Sequence, residues 1–373
     1  MKTLRFVSRI ITGLVFMFSG VVKAIDPLGS VYKFHDYFQA YNIGFADRFS
    51  LPFLILLCTA EFCSGFSVIT GLRVKTGIWI MLILMMLFTP LTFILALTNP
   101  VSDCGCFGDA IHLTNWQTFG KNLVLLIMVV TLFISRKQFK NLFSISAERI
   151  ITIVVILFFI LFIWFNLRYL PVVDFLPYKT GVKISEKMIV PPGVQEDVYQ
   201  TTFIYEKNGV RKVFDLNNYP ANDTTWKFVD QKSVLIKKGY RPPIHDFVIT
   251  SMNGEDLTQK ILSYRGYSLL MISRKLALAD KKNLSDGFDF GRYCLAYGIE
   301  FYILSASGAN EVKSYDNGLQ FCAMDETTLK TMIRANPGYI LLKDGIIIAK
   351  WSWANLPDKE RFIRQNSVSQ SKD

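Results

Sequence analysis

Two cysteines separated by one glycine are the residues of this sequence whose spacing most directly suggests chemistry. Cys104, Gly105 and Cys106 lie in a short run that begins at Asp103 and ends at Asp109. Glycine gives the backbone the freedom that a two-thiol turn needs, and the two Cα atoms can come within the range that a disulfide bridges. A ring this small would be strained and easily reduced, which favours thiol–disulfide exchange over a permanent crosslink.

Other interpretations of this run stay open. The thiols could form static crosslinks to other cysteines, or stay unpaired in a tight turn. A metal site lacks ligands, because the nearest other candidates are Asp103, Asp109 and His112 and no second cysteine pair stands at zinc spacing. The two aspartates would raise the pKa of the thiols, which argues against a very reactive thiolate.

Long apolar segments must position the cysteine run. The chain has 373 residues, of which 51% are hydrophobic and 19% charged, fewer charges than the roughly 25% of soluble domains. Five segments approach the roughly 20 apolar residues that span a bilayer. They are residues 4–25, 51–72, 76–98, 116–135 and 150–167. Thr114 with Gln117 predicts a capping box before the fourth segment, and Pro90 predicts a kink in the third.

Loop charges predict the orientation of these segments. Most basic loop residues fall on one side, namely Lys2, Arg5, Arg9, Arg73, Lys75, Arg136, Lys137, Lys140 and Arg149. The opposite side has Lys23, Lys33 and Arg48, and residues 99–120 contain no lysine or arginine. The N-terminus is therefore expected in the cytoplasm, with the cysteine run and everything after the fifth segment outside. The net charge of +11 fits such loops, and no basic run is interleaved with aromatic residues, so we set nucleic-acid binding aside.

One acidic residue interrupts the second segment. Glu61 lies near mid-membrane, where an ionisable side chain is costly and usually functional. It could shuttle protons during thiol or quinone chemistry, bind a cationic group, or stay protonated with one interhelical hydrogen bond. Cys58 and Cys63 flank it five positions apart, too far round the helix to share a face. Cys58 could join the loop thiols only if the loop dips into the bundle; otherwise both are packing residues.

A longer pattern around these residues resembles the MauE/DoxX-type membrane family over about residues 1–140. The matching positions are Arg9, Ser19-Gly20-Val21-Val22-Lys23, Asp26-Pro27, Glu61, Gly65, Gly71-Leu72-Arg73, Cys104-Gly105-Cys106-Phe107-Gly108, Trp116 and Lys121-Asn122. The resemblance implies a four-helix membrane domain associated with periplasmic disulfide handling and with the maturation of secreted redox proteins. Carried over, Cys104 and Cys106 are the exchanging thiols and Glu61 is the intramembrane acid.

The chain after residue 174 is of mixed polarity and reads as two parts. Residues 199–205 and 211–216 predict two strands joined by a hairpin at Lys207-Asn208-Gly209. From residue 239, predicted strands at 267–272, 301–305, 339–342 and 346–351 alternate with predicted helices at 289–297 and 326–334. Such alternation is typical of an α/β layer fold.

The last part resembles the thioredoxin/peroxiredoxin-like fold over about residues 240–360. The matches are Pro243, Asp246 and Phe247 before the first strand, a turn at Gly254, and Pro337 at the place of that fold's cis-proline. Such a fold carries Cys-x-x-Cys after the strand that matches residues 267–272, whereas this chain has no cysteine at 273–278.

That departure predicts a domain without dithiol activity of its own. Cys294 falls in a predicted helix and Cys322 in a probable strand position, where both read as core residues, and nothing in the sequence supports a bridge between them. A domain of this kind would bind a partner or present it to the membrane loop.

The sequence thus predicts an α-helical membrane bundle of four helices plus a fifth transmembrane tether, followed by an α/β thioredoxin-like extracytoplasmic domain. The domain boundaries are 1–140, 141–173, 174–238 (a small β-rich spacer) and 239–373. The predicted location is a bacterial inner (plasma) membrane, with the C-terminal domain in the periplasm.

The predicted function is a membrane-bound thiol–disulfide oxidoreductase or redox-maturation protein. Cys104 and Cys106 would exchange with an extracytoplasmic thiol or disulfide client, Glu61 and more weakly Cys58 would assist, and no metal is expected. A quinone is the candidate cofactor. The alternative is a non-enzymatic scaffold whose degenerate thioredoxin-like domain binds an extracytoplasmic client. A transporter is disfavoured because the spans show no inverted repeat.

Overall fold

The computed structural model describes residues 2–366 except for 102–103, 140–142, 196–197, 208, 217, 221–222, 224, 238 and 316. Residues up to 168 form helices, and the residues that follow form two β-sheets with short helices around the larger one. Asp103, Lys140 and Asn208, which entered the sequence analysis, lie outside the described residues.

The helices of the first half, within the described residues, are Lys2–Ile25 (α1), Pro27–Ala40 (α2), Ser50–Thr70 (α3), Val74–Thr98 (α4), Asn115–Ile134 (α5) and Ile145–Arg168 (α6). All except α2 are long and apolar enough to cross a membrane, which confirms the five predicted spans. Large apolar side chains on these helices point outward, among them Leu56, Ile83, Ile127 and Phe158. A bilayer accommodates such a surface, whereas water does not.

Local signals at the helix ends behave as expected. The Thr114 side chain accepts a hydrogen bond from the Gln117 amide, and the Gln117 side chain accepts one from the Thr114 amide, so the predicted capping box starts α5. Pro90 lies inside α4. Helix α3 begins at Ser50, one residue before the predicted second segment.

Helix α2 was not predicted, although its start signals are present. Asp26 is the N-cap and accepts a hydrogen bond from the Gly29 amide, and Pro27 takes the first helical position, where its missing N–H costs nothing. Our assignment of Lys23 to the first outside loop is wrong. Lys23 lies in the last turn of α1 and is buried, because a partner deep in the bundle receives its ammonium group.

The membrane helices pack around two apolar clusters. Helix α1 runs along α3, and α4 runs along α5. The larger cluster includes Phe16, Met81, Leu125 and Val129. The smaller one places α6 against α1 and α3, and the ring of Phe159 from α6 stacks on that of Phe62 at 4.3 Å.

The small sheet consists of β1 (Val198–Lys207), β2 (Val210–Asp215) and β3 (Lys227–Lys237) in the order β2-β1-β3, all antiparallel. Lys207 pairs with Val210, as the predicted hairpin requires. The third strand was missed because its charged residues, Lys227, Asp230, Lys232 and Lys237, interrupt the apolar pattern.

The larger sheet has the order β4-β7-β6-β5-β8-β9. Its strands are Thr250–Ser251 (β4), Tyr267–Ile272 (β5), Glu300–Ser305 (β6), Phe321–Ala323 (β7), Gly338–Lys343 (β8) and Ile346–Ser352 (β9). The short helices of this half are Ile184–Lys187 (α7), Thr258–Leu262 (α8), Lys281–Ala296 (α9), Ala309–Ser314 (α10), Glu326–Met332 (α11) and Lys359–Asn366 (α12). Strand β5 is parallel to β6 and antiparallel to β8, so the C-terminal half is an α/β domain.

Strand alternation divides the core of this domain between the two sheet faces. Leu270 and Cys322 belong to one cluster, and Leu269 and Cys294 belong to the other. Cys294 and Cys322 are both buried, on opposite faces of the sheet, which leaves no route for a bridge between them.

The end of α6 and the segment after it contact this domain through a hydrogen bond and an ion pair. The Ser352 hydroxyl donates to the Arg168 carbonyl at 2.8 Å, and the Lys350 ammonium lies 2.6 Å from the Asp174 carboxylate. Tyr178 and Ile184, which the sequence analysis assigned to the spacer, pack in the core of the larger sheet. The predicted domain boundaries otherwise stay a prediction. The Asn336–Pro337 peptide bond is cis.

Candidate functional site

The cysteine run forms a tight turn between α4 and α5. Gly105 has φ +67°, a left-handed conformation that favours glycine, and its carbonyl accepts a hydrogen bond from the Gly108 amide at 3.0 Å. The Cys104 and Cys106 sulfur atoms lie 3.1 Å apart, and both thiols are free and half-buried. The turn therefore brings the two sulfurs into direct contact.

Side chains from α1 and α2 hold the backbone of this turn. The Ser19 hydroxyl and the Lys23 ammonium donate to the Cys106 carbonyl at 2.9 and 2.7 Å. The Tyr37 hydroxyl donates to the Cys104 carbonyl at 2.7 Å. The loop thus dips between the ends of the helices, which is the condition we stated for a contact between Cys58 and the loop thiols.

Lys23 joins the turn to Glu61. Its ammonium lies 2.9 and 3.1 Å from the two Glu61 carboxylate oxygens and 2.7 Å from the Ser19 hydroxyl, and both charged side chains are more than 90% buried. A buried charge is tolerable only when it is paired and hydrogen-bonded. Of the three interpretations of Glu61, this contact favours the binding of a cation, and the cation is a lysine of the same chain.

The two thiols differ in acidity. The hydrogen bond from Cys104, with the positive charges of Lys121 and Lys23, lowers the pKa of Cys106 to about 6 against the opposing effect of burial. The hydrogen bond to Cys106 and burial raise the pKa of Cys104. Cys106 is therefore the thiol that ionises at neutral pH, and a thiolate is the form that attacks disulfides.

Our expectation that the flanking aspartates raise the pKa of the thiols is wrong for Cys106. The Asp109 carboxylate lies 3.2 Å from the Lys33 ammonium and 2.7 Å from the Arg334 guanidinium, so its charge is compensated. Asp103 lies outside the described residues. The charges that act on Cys106 are instead Lys121 and Lys23, which lower its pKa, and Glu61, which raises it. Sequence spacing did not place these residues beside it.

A cavity of about 300 Å³ opens beside the thiols. Its polar end is lined by Ser19, Lys23, Tyr37, Glu61, Cys104, Cys106, Lys121 and Asn122. The rest of its wall is apolar, and Phe53, Leu87 and Leu91 both line it and are exposed on the outer surface of their helices. The cavity therefore connects the sulfurs with the surface that faces lipid.

Cys58 lies near Glu61 and Lys23 but, among the described residues, does not line the cavity. It is buried in the apolar cluster with Ala24, Phe159 and Ile163, and its thiol donates to the Ile55 carbonyl at 3.5 Å. The cavity lining, taken over the described residues, includes both loop cysteines and Glu61 but not Cys58. The proposed relay through Cys58 has no support in this packing, and the roles of the four predicted site residues stay predictions.

Several residues of the site were missed as functional groups. Lys23 and the Lys121-Asn122 pair stood in the family pattern and could have been read from it. Tyr37 and Arg334 carried no signal, because their contacts depend on how α2 and the C-terminal domain pack.

Comparison with known proteins finds a family match in the membrane half. Residues 1–135 match the model of the family described as Methylamine utilisation protein MauE. The membrane half of this chain is similar to MauE. Residues 199–238 match a model described as a domain of unknown function (DUF8463). No curated protein and no solved structure matches the chain. The resemblance of residues 240–360 to thioredoxins stays a prediction.

Proposed function

We propose that this protein is a membrane thiol–disulfide oxidoreductase or redox-maturation protein that works through Cys104 and Cys106. The observation that carries the proposal is the contact between an acidic thiol and its neighbour, 3.1 Å apart, at the polar end of a cavity that reaches the lipid-facing surface. The match to the MauE family supports a membrane role in redox chemistry or maturation.

The division of labour between the thiols follows from their acidity. A thiolate of an extracytoplasmic client attacks the Cys104 sulfur of the Cys104–Cys106 disulfide, and the Cys106 sulfur leaves as a thiolate. A second client thiolate then attacks the client sulfur of this mixed disulfide, so that the client gains a disulfide and the protein is left with two thiols. Because the Lys23 ammonium holds the Cys106 carbonyl and its own charge is balanced by Glu61, these two residues position the turn. The site is then on the periplasmic side of a bacterial inner membrane, with the N-terminus in the cytoplasm, as the loop charges predict.

A quinone is the electron acceptor that fits the cavity. Oxidation of two thiols to a disulfide releases two electrons and two protons, which the reduction of one quinone to a quinol consumes. The Asn122 side-chain amide at the polar end could donate to a ring carbonyl, and the apolar wall suits an isoprenoid tail.

Thiol trapping in native membranes tests the exchange. We expect Cys104 and Cys106 to change between thiol and disulfide when oxidant or reductant is added, and either Cys104→Ser or Cys106→Ser to abolish transfer to a client. Cys63→Ser is the matched control and should retain transfer, since Cys63 lies on α3 away from the turn. Loop cysteines that stay in one redox state under both treatments would refute the proposal.

A separate experiment tests the quinone. Reduced protein in nanodiscs, given a short-chain benzoquinone, should lose two thiols for each quinol formed. Leu91→Trp should slow this reaction by narrowing the cavity, whereas Leu97→Trp, on an exposed position of the same helix, should not. Equal rates in the two variants would argue against the cavity as the entry route.

The scaffold remains the second candidate, and the sequence of the C-terminal domain favours it. The segment after β5 has no cysteine, and Cys294 and Cys322 are buried in the core. Full function of a Cys104→Ser, Cys106→Ser double variant in cells would favour the scaffold over the oxidoreductase.

A further inference from the structure

One arginine of the C-terminal domain reaches the membrane half and holds two carboxylates there. The Arg334 Nε lies 2.9 and 3.1 Å from the Asp26 carboxylate oxygens, and its Nη2 lies 2.7 Å from the Asp109 carboxylate. Its Nη1 donates to the Lys330 carbonyl at 2.6 Å. The guanidinium thus joins the end of α11, the start of α2 and the end of the cysteine turn.

This contact is buried. The side chains of Arg334 and Asp26 are each 5% exposed, and that of Asp109 is 17% exposed. The planar guanidinium presents several donors in a fixed fork, so it can serve two carboxylates at once, which an ammonium group does less well. Burial raises the pKa of Asp26, and the charge of Arg334 opposes that rise. The charge of Asp26 is therefore favoured by its contact with Arg334.

Tyr32 of α2 forms a second contact beside the first. The cationic groups of Arg274, Lys330 and Arg334 lie 5.0 to 5.3 Å from the centre of its ring. The Arg274 guanidinium also hydrogen-bonds to the Tyr32 hydroxyl. The positive face of the C-terminal domain thereby meets an aromatic and acidic face of α2.

The packing around the arginine leaves no spare room. A Cβ atom on Gly29 would lie 2.4 Å from an Asp26 carboxylate oxygen and 2.7 Å from the Arg334 Nη2. Glycine at this helical position therefore lets the ion pair close against α2.

We propose that Arg334 is a positioning residue, which seats the C-terminal domain on α2 and at the same time fixes the cysteine turn through Asp109. The domain is then an intramolecular partner of the thiol site, and its docked or undocked state sets how accessible Cys104 and Cys106 are. This regulatory part rests on the proposed function of the two thiols, whereas the docking itself does not.

Loss of Arg334 should affect the two thiols, because its partner Asp109 lies close to them along the chain. Asp109 is three residues after Cys106, and Lys33 holds the same carboxylate and the Gly108 carbonyl. When Arg334 is removed, Asp109 keeps one of its two cationic partners, so the turn loosens while the membrane helices remain folded. The turn then opens more often to reagents in solution.

The experiment measures alkylation of the peptide that contains Cys104 and Cys106 in the reduced full-length protein in nanodiscs, with a membrane-impermeant maleimide and mass spectrometry. We expect Arg334→Gln to raise the rate about tenfold and Arg334→Lys to raise it less. Arg292→Gln, an exposed arginine of the same domain, should leave the rate unchanged.

Two further variants keep the result interpretable if Arg334→Gln disturbs the fold of its own domain. Asp26→Asn and Asp109→Asn lie on the membrane half and should raise the rate in the same direction. The double variant Arg334→Gln, Asp109→Asn should react no faster than the faster single variant, because the residues act as one unit. Rates equal to wild type in Arg334→Gln and in both aspartate variants would overturn the proposal, as would additive effects in the double variant.

The readout separates the two proposals. Alkylation requires neither a client nor a quinone, so an inert thiol pair with an intact Arg334 effect refutes the redox function alone. Normal exchange with an unaltered alkylation rate in the variants refutes the positioning role alone.

Discussion

Two buried ionic groups hold the cysteine turn, and they differ in where their partners come from. Lys23 and Glu61 are 38 positions apart and belong to adjacent membrane helices. Arg334 and its partners Asp26 and Asp109 are 308 and 225 positions apart and join two halves of the chain. The first group exists once the bundle is folded, whereas the second requires the C-terminal domain to dock.

The Lys23–Glu61 pair would therefore assemble the site, whereas the Arg334 contact would control how accessible its thiols are. A pair within the bundle, shielded from water, is costly to separate, because separation leaves a buried charge without its partner. A group at the junction can be made and broken as the domain moves, without unfolding the helices. The same turn is therefore held by one permanent and one conditional contact.

The largest effect is expected inside the bundle. Lys23→Met leaves Glu61 buried without its cation and should lower the free energy of unfolding by about 3–5 kcal/mol. Lys23→Met with Glu61→Leu should recover most of this loss, because apolar replacement of a buried pair is often neutral. Denaturation of the purified protein in detergent measures both. If Lys23→Met were as stable as Lys75→Met, an exposed lysine on α4, the pair would not be a permanent contact.

At the junction we expect a smaller effect. Gly29→Ala places a methyl group against Asp26 and Arg334 and should destabilise the docked state by about 1–3 kcal/mol through overpacking. Gly120→Ala is the control, since nothing lies within 4 Å of its Cβ position. Thermal unfolding of the full-length protein compares the two. A Gly29→Ala protein as stable as the control would mean that the junction tolerates a shift, which weakens the comparison.

The pH dependence of Cys106 alkylation tests what the neighbouring lysine charges do to the pKa of the thiol. Because its pKa is lowered to about 6, alkylation should rise between pH 5 and pH 7 and level off, whereas an ordinary cysteine with a pKa of about 8.5 still gains rate above pH 8. Lys121→Met removes one of the positive charges and should move the profile to higher pH. An unchanged profile in this variant would leave the hydrogen bond from Cys104 as the dominant cause.

The smallest effect on the free energy of unfolding is expected at the start of α5, the helix that carries Lys121 and Asn122. Thr114→Ala removes the side-chain half of the capping box and should cost about 1 kcal/mol. Thr131→Ala, near the other end of the helix, is the control. Both ionic groups should persist in Thr114→Ala, so its alkylation profile should match that of wild type; a changed profile would show that the cap also positions the thiols.

Sequence patterns predicted what depends on local composition. The five spans, the Thr114–Gln117 capping box, the Lys207–Gly209 hairpin and the strands from β5 to β9 follow from periodicity, caps and turn residues. Glu61 stood out because an acid amid apolar residues is costly. None of these requires knowledge of distant parts of the chain.

The contacts that position the turn could not be predicted, because they join distant residues. Lys23 resembled a loop charge at the end of a span, and only its burial against Glu61 shows otherwise. Asp26 and Pro27 were signals for a helix start that we used only as part of a family pattern. Arg334 stood at the end of the predicted helix 326–334 with no signal for its partners, because the two carboxylates come from distant parts of the chain.

The bonds at the exit of α6 bear on how the domain can move. Ser352 holds the last turn of α6, and Lys350 holds the segment just after it, both from strand β9. The C-terminal domain is therefore joined to α6 by a short segment that strand β9 holds in place, and not by a flexible linker. A change in the tilt of that helix would therefore move the domain, and with it Arg334, relative to the cysteine turn.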